Sequence, residues 1–236
     1  MKSLNKDLTV FLITCGENPN YDACLNALKN QTIEFNLEII KDYAPMSKAF
    51  QEMLNRCKTK YFIQCDGDMI LQRNDVIEIM YNKITNNKNV MFCYQLYDTH
   101  LSKEIFGIKI YNWEIFKKYP YNLQVRSCEM EQLKRIEEDG YKWEFVFDTI
   151  GTHEPNLGDE YMFERYYDLM KKYKKFKYAW MKKLPLQLEN KMLQTNSDSD
   201  KYAFLGALVG LITEDEESEK DFKIKNKYFL TIKEHL

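Results

Sequence analysis

Asp66 and Asp68 stand one residue apart, with Gly67 between them, directly after the run Tyr61-Phe62-Ile63-Gln64-Cys65. That run, rich in aromatic and branched side chains, reads as a buried strand. The glycine allows a sharp turn at the strand's end and brings both carboxylates toward one point. Hard oxygens on a short turn suit Mg²⁺ or Mn²⁺, which needs only one or two protein carboxylates when substrate phosphates supply the rest. A plain Asp-Gly turn has the same local sequence, so the metal reading depends on what surrounds it.

The elements that must position this turn alternate between strand and helix. Leu8 to Ile13 is a continuous β-type run of the kind covered on both faces. Asn20 is placed to cap a helix in which Tyr21, Cys24, Leu25 and Leu28 recur at helical spacing. Leu37 to Ile40 is a second strand ending at Lys41-Asp42, and Met46, Phe50, Met53, Leu54 and Cys57 mark one face of a second helix. After the strand ending at Asp66, Asn74 precedes a helix with Val76, Ile79, Met80 and Ile84 facing inward. This order predicts an α/β fold with a mostly parallel sheet and right-handed crossovers. Such sheets bind ligands at the carboxyl ends of their strands, where Cys15-Gly16-Glu17, Asp42 and Asp66-Gly67-Asp68 all fall.

Further along, Val90 to Tyr97 and Ile105 to Tyr111 read as strands in a mixed or antiparallel part of the sheet. Asn112 begins a short helix closed by Pro120. Ser127 to Asp139 is a helix with Met130, Leu133 and Ile136 inward and Gly140 as its stop. Trp143 to Phe147 is a strand leading to Gly151-Thr152-His153. From Asp159 the periodicity is helical, with Phe163, Tyr166, Tyr167, Met170 and Tyr173 on one face. Thr195 to Asp200 reads as a polar linker, and Glu214 to Glu219 as a solvated acidic run. The expected domains are 1–157, carrying the site, and 158–236, a helical extension.

Net charge is −2 over 236 residues, so no overall field argues for nucleic acid. The six cysteines form no C-x-x-C pair and read as reduced, mostly buried thiols rather than disulfides or a zinc site. The N-terminus shows no leader pattern, and the longest apolar stretch, Ala203 to Thr213, is too short to span a bilayer. A soluble cytoplasmic protein is expected.

With these elements placed, the chain resembles the GT-A nucleotide-sugar glycosyltransferases, and within them the inverting family 2 enzymes. Leu12 to Cys15, Cys24 to Thr32 and Glu38 to Asp42 are similar to that family's first β-α-β unit, in which a cysteine-leucine helix runs into a Gln-Thr pair. Ser47-Lys48-Ala49-Phe50 and Tyr61 to Asp68 look like its next helix and metal strand. Glu129 to Ile136, continuing to Gly140-Tyr141, is similar to the acidic helix that bears the catalytic base. His153 stands where many GT-A enzymes place a third metal ligand. The resemblance covers residues 8 to 155. Three departures mark it: Lys41-Asp42-Tyr43-Ala44-Pro45 replaces the usual Asp-Asp-Gly-Ser, Cys128-Glu129 replaces Glu-Asp, and no Q-x-x-R-W follows. The last departure makes the processive polymerases poor guides.

The resemblance implies metal-dependent transfer of a sugar from a nucleoside-diphosphate donor, UDP expected, to a hydroxyl of a glycan or lipid-linked saccharide, with inversion. Asp66, Asp68 and His153 would hold the ion, Mn²⁺ being favoured over Mg²⁺ by the imidazole. Glu129 is the expected base, with Glu131 as fallback, and Glu154 lies beside the metal histidine. Asp42 could accept from the nucleobase, Thr14 could touch it, Lys48 could pair with phosphate, and Gly67 would face the donor. Two rivals remain: a nucleotidyltransferase acting on a sugar phosphate, and a degenerate GT-A domain that binds glycans without turnover. Cys15-Gly16-Glu17-Asn18-Pro19 lacks the glycine-rich basic loop of the first. Retention of both aspartates and the acidic helix argues against the second.

One segment stands outside the resemblance. Lys171 to Lys183 carries seven lysines interleaved with Tyr173, Phe176, Tyr178 and Trp180. It reads as an exposed helix face, as a peripheral contact for anionic lipid at the inner face of a membrane, or as a nucleic-acid surface. Nothing else in the chain supports base readout.

Overall fold

The computed structural model describes residues 4–125, 127–154, 158–214 and 222–235. The chain divides into two compact units, one of Met1–Leu123 with Cys128–Pro155 and one of Gln124–Ser127 with Asn156–Leu236.

The first unit is a seven-stranded sheet with helices between its strands. The order along the chain is β1 (Leu4–Thr14), α1 (Tyr21–Lys29), β2 (Glu34–Lys41), α2 (Met46–Arg56), β3 (Tyr61–Asp66), β4 (Met69–Leu71) and α3 (Val76–Thr85). Then follow β5 (Met91–Asp98), β6 (Lys103–Asn112), the short α4 (Trp113–Phe116), α5 (Cys128–Glu138) and β7 (Trp143–His153). The sheet order is β2-β1-β3-β6-β5-β7-β4. The pairs β1–β2, β1–β3 and β5–β7 are parallel. The pairs β3–β6, β5–β6 and β4–β7 are antiparallel. The expected antiparallel part therefore runs through the middle of the sheet. Leu8, Val10, Phe11 and Leu12 are fully buried, as a strand covered on both faces requires.

Several local expectations meet a different solution. Asn20 makes no side-chain cap on α1; its amide donates instead to the Glu154 carbonyl at 2.9 Å. The N-terminus of α3 is capped from a distance, because the buried Gln31 accepts from Ile77 N at 3.0 Å. The same side chain donates to the Ala27 and Arg73 carbonyls, which accounts physically for a glutamine at the end of α1. On α5, Met130 is exposed, while Gln132 is buried and donates to the Tyr119 carbonyl. A polar side chain thus takes the core position that an apolar period would assign to methionine. Gly140, at φ +87°, ends the helix with Tyr141 N on the Ile136 carbonyl, a Schellman closure.

The strand expected to stop at Phe147 continues to His153. Opposite β5, Tyr94 pairs with Val146 but Gln95 pairs with Thr149, so Phe147 and Asp148 bulge out of register. Phe147 is 79% exposed, and this break in alternation is why the sequence pattern ended early. The strand β4, only three residues long, had no sequence signal of its own.

The second unit contains α6 (Asp159–Phe176), a 3₁₀ turn (Ala179–Lys183), α7 (Leu184–Thr195), α8 (Asp198–Ile212) and α9 (Phe222–His235). Helices α6 and α8 pack at backbone distance. A Cβ at Gly206 would collide with the Phe163 carbonyl oxygen, and one at Gly210 would lie 2.5 Å from that of Tyr167. The stretch read as a polar linker is a capping turn: Ser197 accepts from Asp200 N at 3.1 Å and starts α8. The acidic run lies outside the described residues beyond Glu214. None of the six cysteines, all among the described residues, is in a disulfide, and of them only Cys15 is exposed. No helix among the described residues is long and apolar enough to cross a membrane.

Candidate active site

Three parallel strands deliver their carboxyl ends to one edge of the sheet. Asp42, just past β2, adopts φ 61°, and its N–H donates to the Thr14 carbonyl at 3.0 Å. Its Oδ1 accepts from Gly16 N at 2.8 Å, tying the loops after β1 and β2 together. Gly67 N donates to the Ile13 carbonyl at 2.8 Å, which ties the loop after β3 to β1. Beside these loops opens a cleft of about 520 Å³, lined by Thr14, Gly16, Glu17, Asn18, Tyr21 and Lys41 among others. The Thr14 hydroxyl is buried and makes no hydrogen bond to the described residues. Gly67 lies against this wall: a Cβ there would be 2.9 Å from Asn18 Nδ2 and 3.1 Å from Thr14 Oγ1. Asp42 and Lys48 are exposed and are not among the cleft's lining residues.

The two aspartates differ in surroundings. Asp68 is buried, and its Oδ2 lies 3.4 Å from His153 Nε2. Asp66 is half-buried; burial first, then the neighbouring Asp68 charge, push its carboxyl up to about 6. The short strand β4 explains the meeting of Asp68 and His153. Met69 pairs with His153 in the antiparallel β4–β7 register, so the residue before Met69 is carried to the end of β7. Among the described residues, no group of three or more His, Cys, Asp or Glu side chains forms a ready metal cage. Asp66, Asp68 and His153 resolve instead into a close pair, Asp68 and His153, with Asp66 next to it.

This donor set suits a divalent cation. A neutral imidazole nitrogen and a carboxylate oxygen facing each other across 3.4 Å are both acceptors unless a proton or metal stands between them. Neighbouring donor atoms around a six-coordinate ion at about 2.1 Å are ~3 Å apart, close to what is seen.

Glu129 stands on the first turn of α5, and Lys109 Nζ donates to its Oε1 at 2.8 Å. Lys109 sits on β6 opposite Gln64 of β3, at the edge that carries Asp66. Burial lowers the lysine's affinity for its proton, but the Glu129 charge and hydrogen bond, with Cys93 and Asp66, more than reverse this and raise it. Glu131 is turned along its own helix, both oxygens held by Arg135 at 2.8 and 2.9 Å. Of the two carboxylates named as bases, only Glu129 therefore connects to the Asp66 neighbourhood.

Sequence reasoning missed Asp98 and Lys109, and read Asn20 only as a helix cap. Asp98 is fully buried and lies 2.8 Å from His153 Nδ1. Its sequence context, Tyr97-Asp98-Thr99-His100, is that of an ordinary strand-end turn. Lys109 alternates with apolar residues on a strand and reads as an outward position.

The sheet order, the helix placement and the site at the strands' carboxyl ends define a fold of GT-A type. The chain is similar in structure to the mannosyltransferase PcManGT from Pyrobaculum calidifontis, solved in complex with GDP-Man and Mn²⁺. That likeness has a TM-score of 0.56 at 12% identity, covering 96% of this chain and 80% of the other. Glucosyl-3-phosphoglycerate synthase from Mycobacterium tuberculosis matches at TM-score 0.48 and 9% identity, over 63% of this chain and 71% of its own. A 4-diphosphocytidyl-2C-methyl-D-erythritol synthase from Anaerococcus prevotii matches at 0.46 and 9%, over 60% and 89%. No family model and no curated protein matches the sequence.

Proposed function

We propose that the protein is a metal-dependent inverting glycosyltransferase acting on a nucleoside-diphosphate sugar, with UDP as the expected carrier. The observation that carries this reading is the Asp68–His153 pair beside Asp66, at the carboxyl edge of a GT-A sheet. A divalent cation bound there would neutralise the diphosphate charge that grows as the glycosidic bond breaks.

The chain's own residues would do the rest. Asp66, Asp68 and His153 hold the diphosphate end, and Gly67 lets the donor approach the backbone where a side chain would collide with Asn18. The buried Thr14 hydroxyl, without a partner among the described residues, supplies a hydrogen bond to the nucleoside in the adjoining cleft. Asp42 already holds Gly16 and shapes that cleft, so its contact with the base is through the oxygen not used there. Lys48 stands exposed on the first turn of α2 and pairs with phosphate. Glu129 accepts the proton of the attacking hydroxyl, its carboxylate oriented by Lys109. The acceptor would be a glycan or a lipid-linked saccharide. The exposed lysines of the second unit give it a peripheral lipid contact.

Thermal-shift titration with nucleotide sugars, with and without Mn²⁺, tests the reading. Stabilisation by a UDP-sugar that requires Mn²⁺ and disappears in Asp68→Ala is expected. Stabilisation by a nucleoside triphosphate instead, with pyrophosphate released from added sugar phosphate, would favour nucleotidyl transfer.

A further inference from the structure

We propose that Asp98 is the positioning residue of His153: it holds the imidazole as the Nδ1–H tautomer and so keeps the Nε2 lone pair facing Asp68 for a cation. The inference rests on the proposed function only for the identity of that cation.

Asp98 is 0% exposed, and both its carboxylate oxygens are engaged. Oδ1 accepts from Leu101 N at 2.6 Å, which anchors the carboxylate to the β5–β6 turn. Oδ2 lies 2.8 Å from His153 Nδ1. A carboxylate only accepts, so Nδ1 must carry the proton and donate. In the neutral ring Nε2 is then an acceptor, and it faces Asp68 Oδ2 at 3.4 Å. Metal-bound histidines commonly donate their second ring N–H to such a carboxylate, which fixes the tautomer and the ring plane.

The backbone is arranged to make this contact. In the parallel β5–β7 pairing Asp98 is the register partner of His153, and it becomes so through two register shifts upstream, the bulge at Phe147 and Asp148 and a second between Thr149 and Thr152, opposite Gln95 to Tyr97. Without the bulge a different residue would stand opposite Asp98. The residues around His153 are pinned from three further directions. Thr99 N donates to the His153 carbonyl at 3.1 Å, Glu154 N donates to the Asp68 carbonyl at 2.8 Å, and Asn20 donates to the Glu154 carbonyl. The Thr99 hydroxyl also donates to Glu154 Oε2 at 2.8 Å. A histidine kept only for packing would not need itself and its neighbours held by three separate segments.

The alternative is an imidazolium bridging two aspartates, a structural ion pair with no lone pair to offer. Long-range ¹H–¹⁵N correlation NMR separates the two in the metal-free chain, whose sequence has three histidines, His100, His153 and His235. Expected at neutral pH is the Nδ1–H tautomer for His153 in the natural sequence, and a tautomer mixture in Asp98→Asn. A doubly protonated His153, or the Nε2–H form, in the natural sequence overturns the proposal, whether or not metal binds.

Mn²⁺ affinity, read by electron paramagnetic resonance of free ion, supplies the second arm. Asp98→Asn should weaken binding about 10- to 100-fold, and should have no further effect in a His153→Ala background. Unchanged affinity in Asp98→Asn, or an equal loss in both backgrounds, overturns it. Failure of the natural sequence to bind Mn²⁺ at all would sink the metal reading above, while the tautomer result still decides what Asp98 does. Asparagine keeps the acceptor for Leu101 N, and a melting curve verifies that the variant folds.

Discussion

Lys109 reaches across from β6 to place its ammonium 2.8 Å from Glu129 Oε1, joining the first turn of α5 to the sheet edge that carries Asp66. The lysine side chain is 16% exposed and that of the glutamate 31%, so the pair is shielded but not sealed from water. Its partial burial makes each partner costly to remove alone, because the other is left poorly solvated. It also gives Glu129 one orientation before any acceptor arrives.

Three variants separate these roles. Glu129→Gln keeps a polar partner for Lys109, so donor binding should persist while transfer falls by about 10²–10⁴-fold. Lys109→Met should destabilise the fold by about 2 kcal/mol or more in urea unfolding, and Glu129→Leu added to it should recover much of that loss. Unchanged turnover in Glu129→Gln would move proton acceptance to another group. Additive destabilisation in the double variant would show that the pair does not act as a unit.

The Asp66 carboxyl, raised by burial and by Asp68 to about 6, makes a prediction with a definite sign. An acid whose folded value lies above its unfolded one is bound to its proton more tightly in the native state. Stability is therefore unaffected at low pH, falls as pH rises through the unfolded value toward about 6, and stays reduced above it. Asp66→Asn removes that penalty. The variant should match the natural protein at about pH 3.5 and exceed it by about 1–2 kcal/mol above about pH 6.5, as measured by denaturant unfolding without metal. A stability gap that does not change across this interval would sink the assignment. The gain would come with loss of Mn²⁺ binding, an exchange of stability against function common at charged sites.

Part of the candidate site is legible in the sequence alone. Asp66-Gly67-Asp68 was marked by a buried β-run ending in two carboxylates, and Glu129 by an acidic first turn after a helix start. His153 was visible as a residue, but what surrounds it was not. Its neighbour Asp98 comes from a strand 55 residues away, and their pairing depends on two register shifts that no local pattern announces. Lys109 was hidden for a related reason. A lysine in an alternating strand reads as solvent-facing, and only the partner helix shows that it points into shielded space. The expected cap at Asn20 failed similarly, since its amide found a carbonyl 134 residues distant. Short-range chemistry was readable, and the contacts set by long-range register were not.

Gly67 gives a test of the cleft that is independent of charge. Its φ is ordinary, so the residue is needed for space rather than for backbone freedom. In Gly67→Ala, the new methyl group would press on Asn18 Nδ2 at 2.9 Å and on the Thr14 side chain at 3.1 Å. Stability should fall modestly, by about 1 kcal/mol, as the flexible Asn18 amide gives way. Donor affinity, measured by calorimetry with a UDP-sugar and Mn²⁺, should fall at least tenfold because the displaced groups line the cleft. Undiminished affinity would remove Thr14 and Asn18 from the donor site.

The lysine-aromatic segment ends in a prediction about lipid. Its seven lysines do not act together. Lys171 is 2% exposed and donates to the carbonyls of Thr213 and Glu214, and Lys174 also binds the Thr213 carbonyl, so both serve the C-terminal end of α8. Lys175, Lys177, Lys182 and Lys183 remain exposed, with Phe176, Trp180 and, at 59% exposure, Leu186. No acidic residue occurs between Asp168 and Glu189 to compensate them. Lysines near an anionic surface contribute about 1 kcal/mol each, and exposed Trp and Leu add an apolar component that a nucleic-acid backbone would not use. The chain should sediment with vesicles rich in phosphatidylglycerol and not with pure phosphatidylcholine, with a blue shift of Trp180 emission. Replacing the four exposed lysines by glutamine should abolish sedimentation, whereas Lys171→Gln should instead lower stability. Equal binding to both vesicle types, or preference for single-stranded RNA over anionic vesicles, would remove the lipid assignment.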